Sequence, residues 1–151
     1  MPQQDEKQTG DSIHGARLVR GAGAGPLTAL VVDEDDDLRV YLRRCLKQFG
    51  PLFGPVLEVS SGSEALLVAR TNDVDMLISG VHLSQPGTTA LFNAIRSDPT
   101  TASVVILLVA DDDVEADRSL DSPSALADAV LVAPFNAAVF ADCLAGLLRS
   151  G

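Results

Sequence analysis

A doubly wound α/β domain built on a five-stranded parallel sheet is the fold this sequence predicts, on three observations. Five short apolar runs fall at residues 27–33, 56–60, 76–79, 103–109 and 129–132. They are nearly continuous rather than alternating, as strands buried on both faces of a parallel sheet read. Between them lie helical patterns and short loops, the connections that parallel pairing needs.

Taken in order, residues 1–26 are rich in Gln, Gly, Asp and Ser and close on a Gly-Ala repeat before Pro26. They read as a flexible leader with a weak docking-peptide pattern at 13–19, and 27–151 as the folded domain. The first strand ends in five consecutive acids, Asp33 to Asp37. One of Asp35 to Asp37 is expected to cap the next helix, leaving Asp33 and Glu34 to line a pocket at the strand's C-terminal end. The first helix is expected over 37–49, with Leu38, Leu42, Cys45, Leu46 and Phe49 on its apolar stripe. Arg39, Arg43, Arg44 and Lys47 take the other side, and Gly50 and Pro51 stop it.

Ser61 and Glu64 form a capping box opening the second helix, whose apolar members include Ala65, Leu66, Val68 and Ala69. The third helix, 89–96, ends before Asp98 and Pro99. A second acidic cluster, Asp111 to Asp113, follows the fourth strand. The fourth helical pattern is broken: an amphipathic turn at 114–120 gives way to Ser122 and Pro123, cap and first residue of a short helix through Ala127. Asn136 caps the last helix, which is expected to bury Val139, Phe140, Cys143, Leu144, Leu147 and Leu148.

The 151 residues suit one domain, and 46% apolar content suits a packed core. A formal charge of −10 disfavours nucleic acid and anionic membrane as partners, because phosphates are repelled. The leader carries three acids and three bases, so the excess lies in the folded part. Cys45 and Cys143 both sit on apolar stripes and read as buried, inert thiols. No signal peptide or membrane span is recognisable, which points to the cytoplasm.

From Leu27 to Arg149 the chain resembles a response-regulator receiver domain, the CheY-like module of two-component and phosphorelay signalling, with a flavodoxin-like fold. The likeness rests on Leu30-Val31-Val32-Asp33-Glu34 with Leu38-Arg39, on Ser61-Gly62-Ser63-Glu64-Ala65-Leu66, on Asp75-Met76-Leu77-Ile78 and on Val132-Ala133-Pro134-Phe135. No single piece is specific; their order and spacing are. The resemblance implies two acids that hold Mg²⁺, an Asp that accepts a phosphoryl group, a Thr or Ser that reports it, and a Lys before a cis proline. Metal and ammonium neutralise the phosphoryl oxygens while the carboxylate attacks.

Carried over, Asp33 and Glu34 match the acid pair, but Gly80 stands at the acceptor position. Val81-His82-Leu83-Ser84 aligns with the acceptor loop, with Ser84 for its usual Pro. Val109 replaces the hydroxyl residue, Ala133 the Lys, and Val130 the usual aromatic. Ser79 and His82 flank Gly80 but do not replace it, since strand neighbours point to opposite faces. The degenerate phosphorylation pocket is thus Asp33, Glu34, Gly80, Val109, Ala133 and Pro134, with a cis bond expected between Ala133 and Pro134. The expectation is a stand-alone pseudo-receiver with no catalytic residue and no cofactor beyond weak or absent Mg²⁺ at Asp33 and Glu34. Its partner would be a histidine kinase, regulator or output protein, with a homodimer left open. Two alternatives are a receiver that still takes a metal or small ligand in its acidic pocket, and a small haloacid-dehalogenase-type phosphatase using Asp33 and Asp35.

Overall fold

The structure is a computed structural model that describes residues 25–112 and 122–149. The leader expected over 1–26 lies almost wholly outside these residues, as do Asp113 and the turn expected at 114–120. The described elements alternate as β1 (Ala29–Val32), α1 (Asp36–Lys47), β2 (Leu57–Val59), α2 (Gly62–Thr71), β3 (Met76–Gly80), α3 (Thr88–Ser97), β4 (Val105–Ala110), α4 (Pro123–Leu126), β5 (Ala129–Val132) and α5 (Ala137–Arg149). All strand pairs are parallel, in the order β2-β1-β3-β4-β5. This is the flavodoxin-like, doubly wound arrangement.

Burial explains the apolar runs. Every residue of β1, β3 and β4 is buried, because helices cover both faces of the sheet. On one face Ala29, Val31, Ile78, Leu107 and Val109 pack with Leu42 and Leu46 of α1 and Phe140 and Leu144 of α5. On the other, Leu30, Val32, Leu77, Ile106 and Leu108 pack with Ala65 and Ala69 of α2 and with Leu91, Phe92 and Ile95 of α3. Alternate strand residues therefore feed different layers, and a polar side chain at either parity would be buried.

The caps fix where the helices start. Asp35 is the N-cap of α1, accepting from the Asp37 N–H at 2.9 Å, so the helix begins at Asp36 rather than Asp37. It ends at Lys47, because the Gln48 N–H closes back on the Cys45 and Leu46 carbonyls. Phe49 leaves the helix yet stays partly buried, edge-on to Phe53. Ser61 caps α2 through the Glu64 N–H at 3.2 Å, and Glu64 reaches back to the Ser60 N–H. Asn136 accepts from the Val139 N–H at 2.8 Å and caps α5.

Some boundaries and burials depart from the sequence reading. β3 runs on to Gly80, which pairs with Val109. β4 starts at Val105, since the Val104 N–H closes a turn on Thr101. Val139 is 46% exposed, because Phe140, Leu144 and Leu147 already fill the core-facing stripe of α5. Cys45 is buried but Cys143 only partly so; both are free, and burial pushes both thiols up, which keeps them protonated.

Candidate functional site

In a sheet of this order the chain reverses direction between β1 and β3, and the crevice outside their C-terminal ends is where such folds bind ligands. Asp33 follows β1 there, and Gly80 ends β3 beside it. Ser79 pairs with Val32 in the register.

The two side chains of the acid pair part company. Asp33 Oδ1 accepts from the Asp35 N–H at 2.8 Å, while Oδ2 lies over Gly80. A Cβ built on Gly80 would overlap Oδ2 and come within 3.0 Å of the Asp33 Cγ. Asp33 thus occupies the space into which any side chain at position 80 would project. Glu34 instead turns to the loop after β3, where Oε2 accepts from the Ser84 hydroxyl at 2.7 Å. That Ser stands where the resemblance puts Pro, so the departure creates a partner for Glu34.

The floor of the crevice is fastened by contacts that patterning did not predict. Arg39, one turn into α1, donates to the Asp33 carbonyl and to the Asp36 carboxylate. Buried Thr88 donates to the Gly80 carbonyl at 3.3 Å and accepts from the Leu83 N–H at 3.2 Å, closing the loop between β3 and α3. Ser79, fully buried, also donates to the Gly80 carbonyl, at 2.8 Å. Its hydroxyl is spent on the backbone rather than offered to the crevice. His82 Nε2 lies 2.8 Å from Asp111 Oδ2, bridging the loops after β3 and β4 at the exposed rim.

Val109 and Ala133 both belong to the apolar layer under α1 and α5, the first buried and the second partly so. The Ala133–Pro134 peptide is cis, as the resemblance implies, and so is Gln85–Pro86. Tyr41 of α1 stacks obliquely on Phe135 at 5.7 Å and donates to its carbonyl at 3.1 Å, tying α1 to the loop after β5. Gly62 is required by the Pro86 loop: a Cβ there would meet the Pro86 carbonyl oxygen at 2.6 Å.

Burial pushes the Asp33 carboxyl above the ordinary carboxylate value; the Asp35 N–H and Arg39 pull the other way, and the charges of Asp35 and Asp111 add to the rise. A carboxyl raised in the folded state binds its proton more readily there than in the unfolded chain. It therefore costs stability above its folded pKa, and the cost fades as pH falls toward the ordinary range. Asp33→Asn keeps an acceptor for the Asp35 N–H and removes the partly buried charge. Its melting temperature at pH 7 should exceed that of the native chain by a few degrees, the shift that about 1 kcal/mol produces at this size. The gain should shrink as pH falls toward the ordinary carboxylate range, because the native carboxyl takes up its proton before the unfolded chain does. Thermal melts followed by circular dichroism decide it: a lower melting temperature at pH 7 would mean that the carboxylate stabilises the fold.

Comparison with solved structures identifies the architecture. CheY4, the chemotaxis response regulator of Vibrio cholerae, superposes with a TM-score of 0.70 at 23% identity, over 82% of this chain and 99% of that one. The receiver domain of the sensor histidine kinase PA1611 from Pseudomonas aeruginosa PAO1, with magnesium coordinated in its active-site cleft, gives 0.71 at 18% identity, over 82% and 98%. The chain therefore has the flavodoxin-like fold of CheY-like receiver domains. Among curated proteins it is similar to the nitrate/nitrite response regulator NarP of Escherichia coli K12, 28% identical over 88 residues. That match takes in 58% of this chain and 40% of NarP, so the chain spans well under half of that relative's length. No family model matches the chain.

Proposed function

We propose that this chain acts in two-component signalling as a pseudo-receiver: it works through protein contact, takes no phosphoryl group and catalyses no reaction. The observation that carries this reading is the Asp33 carboxylate lying over Gly80, in the volume an acceptor side chain would need. Around it Val109 and Ala133 add hydrocarbon where a receiver reaction calls for a hydroxyl and an ammonium.

The acids present do not make the donor set that Mg²⁺ wants. That ion requires near-octahedral oxygens, and Asp33 and Glu34 are turned to different partners, Asp35 and Ser84. No cluster of three or more metal-binding side chains occurs among the described residues. The acid pair therefore holds Mg²⁺ weakly, at millimolar concentration or above, or not at all. A phosphatase reading fares worse, because the Asp35 that would serve as general acid is the cap of α1.

The relatives support the class of partner. One is the receiver of a sensor histidine kinase and another a nitrate/nitrite response regulator, so a kinase, a regulator or an output protein of such a system is the expected contact. No described helix is long and apolar enough to cross a membrane, in keeping with a place in the cytoplasm. Incubation with acetyl phosphate and Mg²⁺ should leave the intact mass of the protein unchanged. A gain of one phosphoryl group mapped to any residue of the crevice would overturn the reading.

A further inference from the structure

We infer that the C-terminal end of α1 is a docking site for an acidic protein segment that inserts one apolar side chain. A cavity of about 140 Å³ opens there between the helix and the chain leading into β2. Phe53, Pro55 and Val56 give it an apolar lining over the fully buried Leu46, and Arg43 and Lys47 complete it. It sits at the N-terminal ends of the strands, where Leu27 bridges to Phe53, and so away from the crevice at Asp33 and Gly80. The inference therefore stands whether or not that crevice takes a phosphoryl group.

Charge selects the occupant. The chain carries −10, yet four of its eleven Lys and Arg residues, Arg39, Arg43, Arg44 and Lys47, lie on this one helix. Arg39 and Arg43 are engaged by Asp36 and Glu58. Arg44 and Lys47 are exposed, and no carboxylate pairs with either among the described residues. The acids at the start of α1 do not cancel them. The helix has 12 residues, about 18 Å of axis, and charges are screened beyond about 10 Å at 0.1 M salt.

A short acidic segment thus meets local positive potential beside an apolar cavity. An extended anionic surface, a membrane or a duplex, would meet the repulsion of the whole chain instead. A flexible segment of carboxylates flanking a Leu- or Phe-like side chain matches both features of the site at once.

Selection of an unbiased displayed peptide library on the full chain tests this without assuming a sequence. Binders should converge on acidic residues around one large apolar residue. They should shift the backbone amide resonances of Leu46, Lys47, Phe53, Gly54 and Val56. Lys47→Glu should weaken the selected peptide about tenfold or more, whereas Arg70→Glu, the same change of net charge on α2, should weaken it less than about twofold. Convergence on neutral or basic peptides, or no enrichment, would refute the site. Equal losses in the two variants, or resonance shifts confined to another face, would refute it as well. Tighter binding of anionic vesicles or of an oligonucleotide at these same residues would replace the acidic segment with another class of partner.

Discussion

Arg96→Ala should lose about 3–5 kcal/mol of stability, the usual effect of breaking a buried ion pair from one side. Arg96 reaches from α3 under the edge of the sheet. One guanidinium nitrogen donates to the Ala102 and Val104 carbonyls, at 3.1 and 2.6 Å. The other donates to the Leu126 carbonyl at 3.2 Å and to Asp128 Oδ2 at 2.9 Å. Asp128, its side chain 4% exposed, also accepts from the Ile106 N–H at 2.7 Å. One side chain therefore joins α3, the start of β4, the end of α4 and the turn before β5. Truncation removes the donor of three carbonyls and the countercharge of a buried carboxylate together. Domains of this kind have about 5–15 kcal/mol in total, so the variant should be marginal at 37 °C. Arg96→Lys keeps the charge but not the planar fork, and should fall between the two. The chain has no Trp and one Tyr, so urea unfolding is best followed by circular dichroism. A midpoint for Arg96→Ala within error of the native chain would show the network to be ornamental.

How much of this was legible in the sequence depends on whether the cause was local. The parallel, doubly wound sheet followed from five nearly continuous apolar runs, since burial on both faces of β1, β3 and β4 leaves no polar parity to find, whereas a flavodoxin-like topology came only with the receiver resemblance. The caps at Ser61 and Asn136, and a cap somewhere among Asp35 to Asp37, followed from side-chain chemistry acting over two or three residues. Boundaries set by tertiary pairing did not. Gly80 extends β3 only because Val109 lies opposite, and Val139 is exposed only because α5 has enough other apolar residues for its core face. Pairings between distant segments left no periodic trace: Glu34 with Ser84, 50 positions apart, Tyr41 with Phe135, 94 apart, and Arg96 with Asp128, 32 apart. The site was half legible. Alignment to the receiver pattern could put Gly80 at the position where that pattern has its acceptor, but could not say that Asp33 lies over it.

That occupancy makes the obvious repair fail. Gly80→Asp should be destabilised by about 2–4 kcal/mol at pH 7 and should still take no phosphoryl group from acetyl phosphate and Mg²⁺. The first cost is steric: a Cβ at position 80 overlaps Asp33 Oδ2, so Asp33 must turn away and give up the Asp35 N–H it now holds. The second is electrostatic. Two carboxylates crowd one partly buried crevice with Ala133 where a lysine would neutralise them, so the pKa of one must rise. Gly80→Ala separates the two, since it carries only the steric part, and its loss should be about 1 kcal/mol, because the colliding atom is the movable end of a side chain. A carboxyl with a raised pKa costs stability at high pH, so the gap between the two variants should narrow as pH falls from 7 toward about 5. Adding Val109→Thr and Ala133→Lys supplies the hydroxyl and the ammonium, and labelling should first emerge in that triple variant. Stoichiometric phosphorylation of Gly80→Asp alone, at native stability, would mean that Asp33 yields its place freely and that the crevice lacks nothing but its acceptor.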